Sequence, residues 1–115
     1  MFLTTRLTEH DGCTVVAVEG ELDMGTAPEL REVIATAIDA REVTVVLDLA
    51  GVGFCDSAGL AVLVGAHNQL QAAGRRLIVA APTAAVGRIL ELSGVSQVIP
   101  TTADPEQARA MIANP

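Results

Sequence analysis

The chain has 115 residues, half of them hydrophobic, and carries 7 basic against 14 acidic side chains for a formal net charge of −7. That length fits a single domain spanning residues 1–115, and with 2% aromatic residues and no Trp or Tyr its core must be aliphatic. An acidic surface without aromatic stacking platforms excludes direct nucleic-acid binding, which needs a basic face, while a basic protein partner remains compatible with the charge.

In chain order, Phe2 to Thr8 alternates polar and apolar residues and predicts a strand. Glu9-His10-Asp11-Gly12 supplies turn chemistry, and Cys13 to Glu19 predicts a second strand, so the chain opens with a hairpin. Thr26, Pro28 and Glu29 predict a helix start with a capping box, and Leu30, Val33, Ile34, Ala37 and Ile38 form one apolar stripe behind it. Val43 to Leu49 is β-branched and almost continuously apolar, as suits a strand buried on both faces.

A second helix is expected over 57–73, with Gly74 at its C-terminal cap and Leu60, Leu63, Val64, His67 and Leu70 or Gln71 facing inward. Leu77 to Ala81 predicts a further buried strand ended by Pro82. Thr83 then caps a helix that buries Val86, Ile89 and Leu90 and closes at Gly94. Val98-Ile99 reads as a short strand stopped by Pro100, and Asp104-Pro105-Glu106-Gln107 starts a last helix, with the final residues MIANP left loose. The order is ββαβαβαβα. It implies an α/β domain in which an N-terminal hairpin strand flanks a mostly parallel mixed sheet with about four helices.

The stretch GFCDSAGL, residues 53–60, places a lone Ser57 where strand hands over to helix. A nucleophile elbow would read G-x-S-x-G, but Cys55 stands in the first glycine's place. The histidines are His10, in a predicted turn, and His67, ten residues along the same helix and so about 15 Å from Ser57 at 1.5 Å per residue. No base is within reach, which argues against a hydrolase. Gly51 and Gly53 begin a dinucleotide fingerprint whose third glycine is replaced by Asp56, and no Gly-Lys-Ser/Thr occurs. No His, Cys and carboxylate cluster has metal spacing, so neither a metal nor a cofactor is expected.

Cys13 and Cys55 are expected to be reduced, buried thiols. MFLTTRLTEHDG lacks the apolar stretch of a signal peptide, and no apolar run approaches the roughly 20 residues of a membrane helix. A soluble, cytoplasmic protein is expected, without membrane association. Two readings of Ser57 stay open: a helix N-cap, or a modification site whose phosphate would add about −1.5 to −2 charges beside Asp56.

The run GFCDSAGLAVLVGAHNQLQAAGRRLIVAAP resembles the STAS domains, specifically the small stand-alone anti-sigma factor antagonists of bacteria. VEGELDMGTAPELREVI is similar to that family's Gly-Glu-Leu-Asp loop and first helix, and RILELSGVSQVIP to its third helix and last strand. The resemblance implies that Ser57 is the family's phosphorylated serine and that Asp23 lies beside it and supports phosphorylation. It implies that the unphosphorylated domain binds an anti-sigma factor that is also a GHKL-type serine kinase, freeing a sigma factor for transcription. Phosphorylation breaks the complex, a PP2C-type phosphatase resets it, and the domain itself is not an enzyme.

Ala58 departs from the family pattern, in which Ser or Thr often follows the acceptor, and leaves Ser57 as the only hydroxyl in the motif. The expected docking surface comprises Asp23, Met24, Gly25 and Thr26 from one loop and Gly53, Phe54, Asp56, Ala58 and Leu60 from the other. Phe54 and Leu60 also suit core packing, and Asp23 a cap or turn role. The alternative function is a structural STAS subunit of a stressosome-like or lipid-transport complex that lacks a phosphoserine switch.

Overall fold

A computed structural model describes residues 3–10 and 12–113. Its elements run β1 (Thr4–His10), β2 (Cys13–Leu22), α1 (Ala27–Asp39), β3 (Thr44–Cys55), α2 (Ser57–Ala72), β4 (Arg76–Ala80), α3 (Ala84–Leu92), β5 (Thr101–Thr102) and α4 (Pro105–Ala113), with a 3-10 turn over Val95–Gln97. This is the expected ββαβαβαβα order. The five strands lie in the order β1-β2-β3-β4-β5, with β1 antiparallel to β2 and every other neighbour parallel.

Strand alternation sorts the core into two layers. Val16, Val18, Val45, Leu47, Leu77 and Val79 pack with buried residues of α1, α2 and α3 on one face. Cys13, Val15, Val46, Ile78 and Ala80 pack with Ala108 and Met111 of α4 on the other. The central strands are buried on both faces along most of their length, so they are largely apolar, and each fully buried Leu or Val contributes about 1.5–3 kcal/mol.

Several boundaries differ from the sequence expectation. Glu9 and His10 belong to β1, and Gly12 turns the chain at φ 83°, while Phe2 and Asp11 lie outside the described residues. β3 runs on through Gly53 to Cys55 because β2 also continues to Leu22, and the two stay paired across register shifts at Ala17/Glu19 and Gly20/Glu21. A Cβ on Gly51 would lie 2.5 Å from Glu19 Cγ and 3.1 Å from the Val18 carbonyl, so this glycine serves close pairing in a strand where it reads as a loop.

The α2 stripe is rotated from the predicted one. Val62, Leu63, Ala66, His67 and Leu70 are buried and Val64 is exposed. Val98-Ile99 is not a strand: Ile99 is buried by the 3-10 turn, donating to the Val95 carbonyl at 2.8 Å, while Val98 is exposed. The last strand is Thr101–Thr102, beyond Pro100, paired with Val79–Ala80. The caps of α3 and α4 follow the expectation. Thr83 Oγ1 accepts from the Val86 amide, Asp104 Oδ1 accepts from the Gln107 amide at 2.7 Å, and Gln107 Oε1 accepts from the Ala103 amide. Helix α4 continues through Ala113, so Met111 is helical rather than loose; Asn114 and Pro115 lie outside the described residues.

Candidate functional site

Parallel pairing brings the two motif segments together. Glu21 stands opposite Phe54 and Leu22 opposite Cys55, so the loop after β2 and the turn after β3 leave the sheet side by side at its carboxyl edge. In open parallel sheets this edge is where partners and ligands are met.

The cap of α2 is Asp56, not Ser57. Asp56 has an extended backbone, and its Oδ1 accepts from the amides of Ala58 at 2.8 Å and Gly59 at 3.1 Å. Ser57 is thereby moved to the first helical position, where it is exposed and its side chain makes no hydrogen bond to any described residue. An Asp in front of the Ser is the signal that could have revealed this, since Asp caps as well as Ser does.

Gly59 explains the remainder of the motif. A Cβ there would lie 2.8 Å from Leu22 Cβ, 2.9 Å from the Leu22 carbonyl and 3.0 Å from Cys55 Sγ. Only glycine lets the first turn of α2 rest on the end of β2. Leu22, fully buried beneath this contact, belongs to the site although the sequence does not mark it.

The loop before α1 is locked from within. Thr26, fully buried, donates from Oγ1 to the Glu21 carbonyl at 2.7 Å and accepts at Oγ1 from the Asp23 amide at 3.0 Å. Asp23 Oδ1 accepts in return from the Thr26 amide at 3.0 Å, and the Asp23 carbonyl accepts from the Ala27 amide at 2.8 Å. The expected capping box is absent, because Thr26 makes no side-chain cap bond and Glu29 Oε2 instead accepts from the Leu3 amide at 3.1 Å. Thr26 thus holds the loop and presents no surface to a partner.

The other candidate residues divide by exposure. Met24 is 79% exposed and Phe54 45% exposed, with Gly25 and Gly53 exposed beside them. Asp23, Asp56, Ala58 and Leu60 are half-buried, and Ala58 and Leu60 pack against the core. Cys55 is buried beneath the turn. Burial, and secondly the Asp56 carboxylate, push its thiol up to about 11, so at neutral pH it is an unreactive thiol.

Neither histidine reaches Ser57. His67 is buried on the inner side of α2, with an unpartnered Nδ1, and His10 lies opposite Cys13 at the far end of the sheet, next to Arg109. No group of three or more metal-ligating side chains occurs among the described residues.

The family model described as STAS domain matches residues 4–108. The anti-sigma F factor antagonist of Paenibacillus polymyxa is 32% identical over 101 residues, covering 87% of this chain and 86% of that protein. The anti-sigma-B factor antagonist of Staphylococcus epidermidis is 31% identical over 99 residues, covering 86% and 92%. The crystal structure of an anti-sigma factor antagonist from Mycobacterium paratuberculosis superposes with a TM-score of 0.90 at 31% identity, covering 97% of this chain and 95% of that one.

Proposed function

The chain belongs to the STAS domain family, and from that premise we propose that it is an anti-sigma factor antagonist controlled by phosphorylation of Ser57. Unphosphorylated, it binds an anti-sigma factor that is also a GHKL-type serine kinase and so releases a sigma factor. Phosphorylation ends the complex, and a PP2C-type phosphatase restores it. The domain acts in the cytoplasm and catalyses nothing itself; no helix among the described residues is long and apolar enough to cross a membrane.

The observation that carries this reading is the state of Ser57. Its hydroxyl is exposed and free of capping duty, on a turn flanked by the exposed side chains of Met24 and Phe54. A phosphate can be added there without breaking any hydrogen bond of the fold. A partner packed over the same turn would meet about −1.5 to −2 new charges beside Asp56, and a hundredfold loss of affinity requires only about 2.7 kcal/mol. The naming of relatives above 30% identity as anti-sigma factor antagonists supports the partner class.

The test is a pull-down with a GHKL-type anti-sigma factor from the same organism, with and without ATP. Wild type should bind without ATP, then gain one phosphoryl group on the peptide containing Ser57 and dissociate when ATP is added. Ser57→Ala should stay bound in both conditions. Equal dissociation of the two refutes the assignment.

A further inference from the structure

The chain contains seven arginines and no lysine. Arg75, Arg76 and Arg109 are engaged at the end of the sheet away from Ser57, with the Glu42 carbonyl, with Thr44 and the Met111 carbonyl, and with His10. Arg41 precedes β3 at that same end, Arg6 lies on the β1 edge and Arg88 on α3. Arg31, on α1, is exposed, and its guanidinium makes no hydrogen bond or ion pair with any described residue. Its neighbours three and four positions away on the helix are Ala27, Pro28, Ile34 and Ala35, none of them acidic.

What Arg31 faces is the groove between α1 and α2. This groove, of about 230 Å³, is lined by Arg31, Ile34 and Ala35 on one side and by Ala61, Gly65 and Gln69 among others on the second. Small side chains leave it open for the guanidinium. Ser57, Ala61 and Gly65 stand four residues apart in turn and so share one face of α2. Both helices return from the carboxyl edge of the sheet to its amino edge, so they run parallel to each other. Helical side chains lean toward their own N-terminus, which tilts Arg31 toward the level of Ser57, one turn or about 6 Å above Ala61.

We propose that Arg31 is the internal counter-charge of phosphorylated Ser57, drawing the phosphate over the α1–α2 groove. The inference rests on Ser57 being the modified residue. Arg31 is a positioning residue: it fixes where the new dianion sits relative to a partner docked over Met24 and Phe54. The guanidinium fork suits a phosphate, which offers it three acceptor oxygens.

The test installs phosphoserine at position 57 during translation, so that no kinase is needed, and follows the phosphorus resonance as a function of pH at low ionic strength. A nearby cation favours the dianion and lowers its second pKa, ordinarily about 6. The phosphoprotein with Arg31 intact should titrate about half a pH unit below its Arg31→Gln counterpart, as fits an exposed ion pair. The Arg88→Gln phosphoprotein should titrate like the parent. Coincident curves for the parent and Arg31→Gln, or an equal displacement by Arg88→Gln, overturn the proposal. Either result leaves the partner switch standing, whereas a partner complex indifferent to ATP overturns the switch without altering the titration.

Discussion

The backbone amide of Asp56 donates to the carbonyl of Leu22 across 2.9 Å, tying the entry of α2 to the end of β2. This bond joins the two segments that flank Ser57. Asp56 caps the helix that begins with Ser57, and Leu22 is the last residue before the Asp23 loop. The serine is presented on a framework that does not depend on its own hydroxyl.

That framework predicts an asymmetry between adjacent residues. Asp56→Ala removes the acceptor for two amides and should cost about 1 kcal/mol, within the range of about 0.5–2 found for lost caps. Ser57→Ala should change stability by no more than about 0.5 kcal/mol. Urea unfolding of both variants checks this, and the reverse order of losses would restore Ser57 as the cap.

Gly59 should tolerate no side chain. The 2.8–3.0 Å contacts awaiting a Cβ involve the Leu22 backbone as well as side chains, so Gly59→Ala should destabilise by about 1–3 kcal/mol. Gly65, in the same helix, has nothing within 4 Å of its would-be Cβ, and Gly65→Ala should stabilise by up to about 1 kcal/mol. Thermal melts of the pair separate close packing at Gly59 from a general effect of glycine in a helix.

Met24 and Phe54 are the large apolar side chains exposed beside Ser57. Met24→Ser and Phe54→Ser should each weaken binding of the anti-sigma factor at least fivefold, since buried interface anchors are worth about 1 kcal/mol or more, with little change in stability. Calorimetric titration of the partner measures it. Unchanged affinity in both variants would move the docking surface away from this edge.

Cys55 makes alkaline stability a readout of the site. Its thiol rises from 9.0 to about 11 in the folded chain, chiefly by burial and then through Asp56, so between these values the native state holds a proton that the unfolded state has lost. This contribution is complete below pH 9.0 and disappears as pH climbs toward about 11. Cys13 is also raised by burial, so Cys55→Ala should flatten the alkaline fall in urea midpoint without abolishing it. An undiminished slope in that variant would show that Cys55 does not titrate as its setting requires.

Much of this architecture was legible residue by residue. The α1 stripe, the Thr83 and Asp104 caps and the β-branched runs of β2, β3 and β4 each rest on local periodicity or on bonds within one helical turn. The misreadings have more than one cause. Thr26 and Glu29 have the spacing of a capping box, but Thr26 bonds back into its own loop, to the Glu21 carbonyl and the Asp23 amide, and Glu29 accepts from the distant Leu3 amide. Ala50 to Gly53 reads as a loop because glycine is a poor strand former, and it became strand only because β2 runs alongside it.

Sequence alone determined the order of elements, the aliphatic core and the motif in which Ser57 stands, because periodicity, β-branching and turn residues act over a few neighbouring positions. Tertiary structure alone decided that the Asp23 loop and the entry of α2 leave the sheet side by side, that Thr26 faces inward while Met24 faces out, and that Arg31 looks across at the helix Ser57 begins. Those outcomes depend on parallel strands setting Leu22 against Cys55, an approach between residues some thirty positions apart that no local pattern encodes.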